Sequence, residues 1–177
     1  MQRIRPLDPA DAPTKSRALL EDIAGRTGGV GDMVATMAHS PALLSGYLDL
    51  SRAMKRIKLP RALSEKISIA LQVWIGCERC LAAHEEGGRA AGLTDDDLEL
   101  ARRGLSADGR ETPLIALAMT VLADPSSVGD AEVDELRAYG WSDRVITEIV
   151  GLAALNLLTG SFNQLTGISG RAVEAPD

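Results

Sequence analysis

Cys77, Cys80 and His84 are the residues of this sequence whose types and spacing could do chemistry together. They stand in the stretch GCERCLAAHEEGG, residues 76–88, which holds both cysteines of the 177-residue chain and one of its two histidines. On an α-helix, at 100° per residue, the three side chains fall within about 60° of one another. Cys80 and His84 are i, i+4 neighbours, near enough for an imidazole to exchange a proton with a sulfur. Cys77 and Cys80 can close a disulfide if Cys77 sits at the helix start, and Gly76 suits a helix boundary there. A thiol in the first turn also gains from the helix dipole, which favours the thiolate, the species that attacks.

Three chemistries are open to such a set: a metal site, a structural disulfide and a redox pair. A structural zinc normally takes four protein ligands, commonly as two spaced pairs. Here two thiols and His84 make three, and the other histidine, His39, lies in an unrelated segment. A three-ligand catalytic zinc is a further alternative, as is simple packing of two thiols and a histidine in a core.

The surroundings argue against a structural disulfide. The N-terminus, MQRIRPLDPADAPTKS, has no apolar run of the kind a signal peptide needs, and no segment approaches ~18 uninterrupted apolar residues. The expected compartment is a reducing cytoplasm, with no membrane partner. A permanent structural disulfide is unusual there, and a C-x-x-C is more often catalytic or metal-binding. With 25 acidic and 19 basic residues the net charge is −6, which argues against nucleic acid as a partner. The basic run Arg52, Lys55, Arg56 and Lys58 reads as a solvated helix end.

Helices must position these groups. The composition is 45% hydrophobic but only 3% aromatic, so aliphatic and alanine side chains have to fill the core, as suits closely packed helices. Ser40-Pro41 and Thr112-Pro113 are start signals, Thr94 precedes three aspartates, and Ser64-Glu65 and Ser142-Asp143 open the two most apolar stretches. Gly92, Gly104 and Gly140 fall where helices should stop. The pattern predicts an all-α fold of about eight helices: 13–26, 41–57, 64–75, 77–91, 95–103, 113–123, 130–139 and 143–167. Gly25–Gly31 reads as a linker. A single domain is expected over 1–177, with 1–30 an N-terminal arm and 31–170 the core. The stretches ISIALQVWI and VITEIVGLAALNLL are apolar nearly all round, which predicts self-association.

Glu65 followed by Cys77, Cys80 and His84, in the order E-x11-C-x-x-C-x-x-x-H, resembles the signature of the AhpD-like alkylhydroperoxidases of the carboxymuconolactone decarboxylase superfamily. The upstream HSPALLSGYLDL, the AAGLTDDDL after the histidine and an asparagine-bearing apolar helix near the C-terminus extend the likeness over most of residues 30–170. It is similar especially to the peroxidase-related branch.

The resemblance implies an all-α homodimer, trimer or hexamer that reduces hydroperoxides with its two cysteines, without flavin, haem or metal. It implies that Cys80 attacks the peroxide, that Cys77 resolves, and that His84 and Glu65 relay protons. In such chemistry a thiolate opens the O–O bond and becomes a sulfenic acid, which the second thiol condenses into a disulfide. An external dithiol then restores the pair by exchange. Between the sulfurs, Arg79 would favour a thiolate by its charge and Glu78 would oppose it.

An unbroken helix from Glu65 to Cys77 would separate them by ~18 Å. Glu65 can therefore join the relay only if the chain turns near Gly76 or a neighbouring subunit supplies a residue. Otherwise Glu65 suits the first turn of a helix opened by Ser64. The same atoms would serve a thiol–disulfide oxidoreductase. A lactone decarboxylase, the activity that names the superfamily, does not need the cysteine pair.

Overall fold

The computed structural model describes residues 2–168. Met1 of the expected arm and residues 169–170 of the expected core lie outside the described residues. Among those described there are nine α-helices, two short 3-10 turns and no strand. The helices are α1 (Thr14–Thr27), α2 (Asp32–Met37), α3 (Pro41–Met54), α4 (Arg61–Ile75), α5 (Glu78–Ala90), α6 (Asp95–Arg102), α7 (Glu111–Ala123), α8 (Asp130–Ala138) and α9 (Asp143–Thr166). The all-α class is as expected, and each of the eight expected helices has its counterpart.

Four details differ. The short α2 was not anticipated, because the six residues DMVATM are too few to show a periodic face. The stretch 25–31 is not all linker, since α1 continues to Thr27 and Gly31 already caps α2. Helix α7 opens at Glu111, and Thr112 is no cap: its hydroxyl accepts the Ser106 N–H at 3.0 Å and so ties down the preceding loop.

The fourth correction matters most for function. Helix α4 opens at Arg61, after Pro60, so Ser64 is not its cap and Glu65 lies in its second turn. Proline leaves no N–H to satisfy at that end, which suits a helix start. Glu65 is thus free of the capping role that its place after Ser64 suggested.

The described chain divides into two compact units. The first takes in residues up to Ala53 together with those from Phe162 onward, and the second runs from Met54 to Ser161. In the first, Leu7, Ala12, Leu20, Met37, Ala38 and Leu44 form a buried cluster. Its N-terminal segment is pinned by arginine: Arg3 Nη1 donates to the Gln164 carbonyl at 2.6 Å, and Arg17 donates to the carbonyls of Pro9 and Ala10. His39 belongs to this unit, with Nε2 3.0 Å from the Arg5 carbonyl.

The second unit is built around α4. Leu63, Ile67, Ala70 and Leu71 on one side of it pack with Leu114, Ile115, Leu117 and Ala118 of α7, Leu136 of α8 and Ile149, Leu152 and Ala153 of α9. Ile69, on another side, packs with Leu98 and Ala101 of α6. A helix buried on several faces needs its polar groups answered. Lys66 Nζ meets Glu111 Oε2 at 2.8 Å and Ser106 Oγ at 2.9 Å, and Asn156 of α9 bonds both Gln72 and Ser68. By length and composition α9 could cross a membrane. Its Ile149, Leu152 and Asn156 are nonetheless buried within the packed unit.

Candidate active site

The site begins with the turn between α4 and α5. Gly76 ends α4 in the left-handed conformation, at φ 76°, where a side chain would clash with the following carbonyl. Its N–H and that of Cys77 both return to the Gln72 carbonyl, at 2.9 and 3.2 Å, which closes the helix end. The chain therefore reverses within two residues. Helix α5 starts at Glu78 and packs back along α4.

This reversal delivers Cys77 to the N-cap of α5 and Cys80 to its first turn. The two are joined as a disulfide, with Cα atoms 5.3 Å apart, and both are buried. Cys77 Sγ also accepts the Cys80 N–H at 3.4 Å, so it occupies the place of a capping oxygen. Among the described residues, no group of three or more His, Cys, Asp or Glu could hold a metal ion.

One turn after Cys80, on the same helix, stands His84; Cβ atoms at that spacing lie roughly 5–6 Å apart. His84 Nδ1 is 2.8 Å from Glu65 Oε2. The carboxylate accepts and the ring N–H donates, which assigns the proton to Nδ1 and leaves Nε2 as the nitrogen able to exchange protons with a sulfur. The condition placed on Glu65 by helix length is met by the turn at Gly76. Glu65 reaches the histidine from the neighbouring helix of the same chain.

Two further residues hold this pair, Arg61 and Gly87, and neither was picked out from the sequence. Arg61, one turn before Glu65 on α4, brings Nε to 3.7 Å from Glu65 Oε1. Gly87 presents a bare Cα to the Glu65 carboxylate, and a Cβ there would fall 2.7 Å from Oε1. Gly88 lies against Leu93 and Leu98 in the same way. The one available signal was the glycine doublet inside an otherwise helical stretch, since glycine is unfavourable in a helix interior unless something comes close.

Helix α5 is held from its other side. Glu85 is buried and meets Arg102 of α6 at 2.6 Å, and the hydrogen bonds that the Arg102 guanidinium donates to Glu85 and then to Glu99 hold it above its already high range. The α6 start carries a full capping box between Thr94 and Asp97. Asp97 is held below the usual carboxylate range, chiefly by the Thr94 backbone N–H. His39, in the first unit, is not part of the set.

Residues 41–110, which contain Glu65, Cys77, Cys80 and His84, match the carboxymuconolactone decarboxylase family. No curated protein matches the sequence. Among solved structures, the chain is similar to the alkylhydroperoxidase AhpD core of an uncharacterised peroxidase-related protein from Ralstonia eutropha JMP134, with TM-score 0.80 and 19% identity, over 96% of this chain and 92% of that one. An uncharacterised peroxidase-related protein from Silicibacter sp. TM1040 gives TM-score 0.77 and 20% identity over 95% and 91%. The debrominase Bmp8, as its C82A variant in complex with 2,3,4-tribromopyrrole, gives 0.74 and 19% over 96% and 91%. At such identities the likeness establishes the fold. The chain thus has an AhpD-like helical fold, and its residues 41–110 match the carboxymuconolactone decarboxylase family.

Proposed function

We propose that the protein is a thiol-dependent hydroperoxidase. The observation that carries this reading is the Cys77–Cys80 disulfide at the start of α5, one helical turn from a histidine whose Nδ1 is held by Glu65. In the reduced enzyme His84 Nε2 takes the proton from the Cys80 thiol. The thiolate attacks the terminal peroxide oxygen, the O–O bond breaks, and the alkoxide leaves as the alcohol on receiving a proton from His84. Cys80 is then a sulfenic acid. Cys77 attacks its sulfur, water leaves, and the disulfide forms. The balance is two thiols and one hydroperoxide to one disulfide, one alcohol and one water.

An external dithiol regenerates the pair by exchange, in a reducing cytoplasm. Glu65 keeps the imidazole in one tautomer and steadies the imidazolium during transfer, as the carboxylate does in other acid–base pairs. Anaerobic titration of the reduced protein with cumene hydroperoxide tests the reading. Two thiols lost per hydroperoxide consumed are expected; loss of peroxide with the thiols intact would refute it.

The likeness to Bmp8 favours one second reading, reductive removal of bromide from an aromatic ring. There the same two electrons and one proton would replace C–Br by C–H as the disulfide forms. Bromide release from 2,3,4-tribromopyrrole by the reduced protein separates the two. We also propose a homo-oligomer, supported by apolar side chains exposed on α4 (Val73, Trp74) and on α9 (Val150, Leu157). Light scattering giving a single species near 18.7 kDa would contradict that.

A further inference from the structure

We propose that Gly87 is a positioning residue of this site: its bare Cα is the seat on which the Glu65 carboxylate rests while it holds His84. The inference rests on the reading above, in which Glu65 and His84 serve the cysteine pair. A Cβ at position 87 would stand 2.7 Å from Glu65 Oε1, 2.9 Å from Cδ and 3.1 Å from Oε2. All three contacts fall on the carboxylate itself, inside van der Waals distance.

The clash has few ways to relax. The carboxylate is tied to His84 Nδ1 at 2.8 Å, and its side chain is only 18% exposed. Helix α5 cannot easily back away. Its Glu85 is bound to Arg102 of α6 at 2.6 Å. A methyl group at 87 must therefore push the carboxylate off its position, and the bond to the imidazole goes with it. Glycine in a helix interior is less favourable than alanine, so its presence here answers a requirement other than helix formation.

Three variants test this: Gly87→Ala, Gly88→Ala, and Gly87→Ala combined with Glu65→Ala. In Gly88→Ala the new Cβ meets flexible leucine ends at 3.0 and 3.1 Å and clears Glu65 Cβ at 3.8 Å. Two-bond proton–nitrogen correlations of 15N-histidine protein report which ring nitrogen of His84 carries the proton, with His39→Gln assigning the other ring. The parent and Gly88→Ala should show the proton on Nδ1, and Gly87→Ala should lose that pattern. Single-turnover thiol oxidation by cumene hydroperoxide should fall at least about tenfold in Gly87→Ala, as expected when a positioned acid–base group is disturbed. In the Glu65→Ala background the same substitution should change the rate by less than about twofold, because the clashing group is gone.

A parent-like ring pattern in folded Gly87→Ala would overturn the proposal, as would losses that multiply in the double variant. If Gly87→Ala failed to fold while the double variant folded, the clash would still be placed at Glu65. If the parent itself left hydroperoxide untouched, the function would fall, and the ring pattern alone would decide Gly87.

Discussion

Glu65 and His84 are 19 residues apart in the sequence and 2.8 Å apart in the fold. Nothing within either helix produces that contact. It depends on the reversal at Gly76, on the close approach of α5 to α4, and on the absence of a side chain at Gly87. If the pair serves the sulfurs, loss of His84 should be felt more than loss of Glu65. His84→Ala should slow oxidation of the reduced protein by at least about a hundredfold and Glu65→Gln by about tenfold. His39→Ala, which removes only the contact to the Arg5 carbonyl, should leave the rate unchanged. Stopped-flow measurement of thiol loss compares the three, and equal losses in both histidine variants would contradict the assignment.

The turn itself can be tested through stability. Gly76→Ala places a Cβ in the left-handed region, at a cost of roughly 1–2 kcal/mol. For a protein of this size that lowers Tm by about 2–8 °C. Thermal melts with the disulfide intact and reduced should both show the loss, and an unchanged Tm would mean that the turn has another solution.

Much of this was legible in the sequence, and the reason differs from element to element. Eight helices announced themselves through caps, stop signals and apolar periodicity, and the Cys-x-x-Cys-x-x-x-His spacing reported a local relation that one helix can satisfy. The α4 start was misplaced because Ser64 looks like a cap, whereas Pro60 ends the preceding loop four residues earlier. That error is what made Glu65 resemble a first-turn acid. Gly87 was hard to read for a different cause: the glycine doublet signals that something comes close, but the group that does, the Glu65 carboxylate, sits on the preceding helix, outside any local window.

The polar pin behind α4 should matter for stability and not for chemistry. Lys66→Met leaves the half-buried Glu111 without its cation, at a cost of roughly 1–3 kcal/mol. Urea unfolding should report that loss. The rate of thiol oxidation in the folded variant should remain that of the parent, since Lys66 faces α7 and the adjoining loop rather than the cysteines.

Acid should weaken the fold from the helix caps. The Asp97 carboxyl is held below its ordinary range by the Thr94 backbone N–H, so it binds a proton more readily in the unfolded chain than in the folded one. Its contribution is complete above the ordinary carboxylate range and is lost as pH falls through the lowered folded value. Glu148, held low by the Lys58 backbone N–H, acts in the same direction. Melting temperature should thus be flat near neutrality and fall in the acid range below the usual carboxylate titration. Thr94→Ala should remove about 1 kcal/mol at neutral pH and flatten part of that fall.

The most direct test is mass spectrometry of the two single-cysteine variants after one equivalent of cumene hydroperoxide, with dimedone as the trap. The cap position of Cys77 on α5 gives its thiolate a dipole contribution of ~0.3–1 kcal/mol, while a histidine one turn from Cys80 supplies both charge and a proton path. The account predicts a dimedone adduct on Cys80 in the Cys77→Ser protein and none in the Cys80→Ser protein. An adduct on Cys77 in the Cys80→Ser protein, with Cys80 unmodified in its counterpart, would reverse the roles. Both proteins unmodified, with the hydroperoxide intact, would contradict the peroxidase reading altogether.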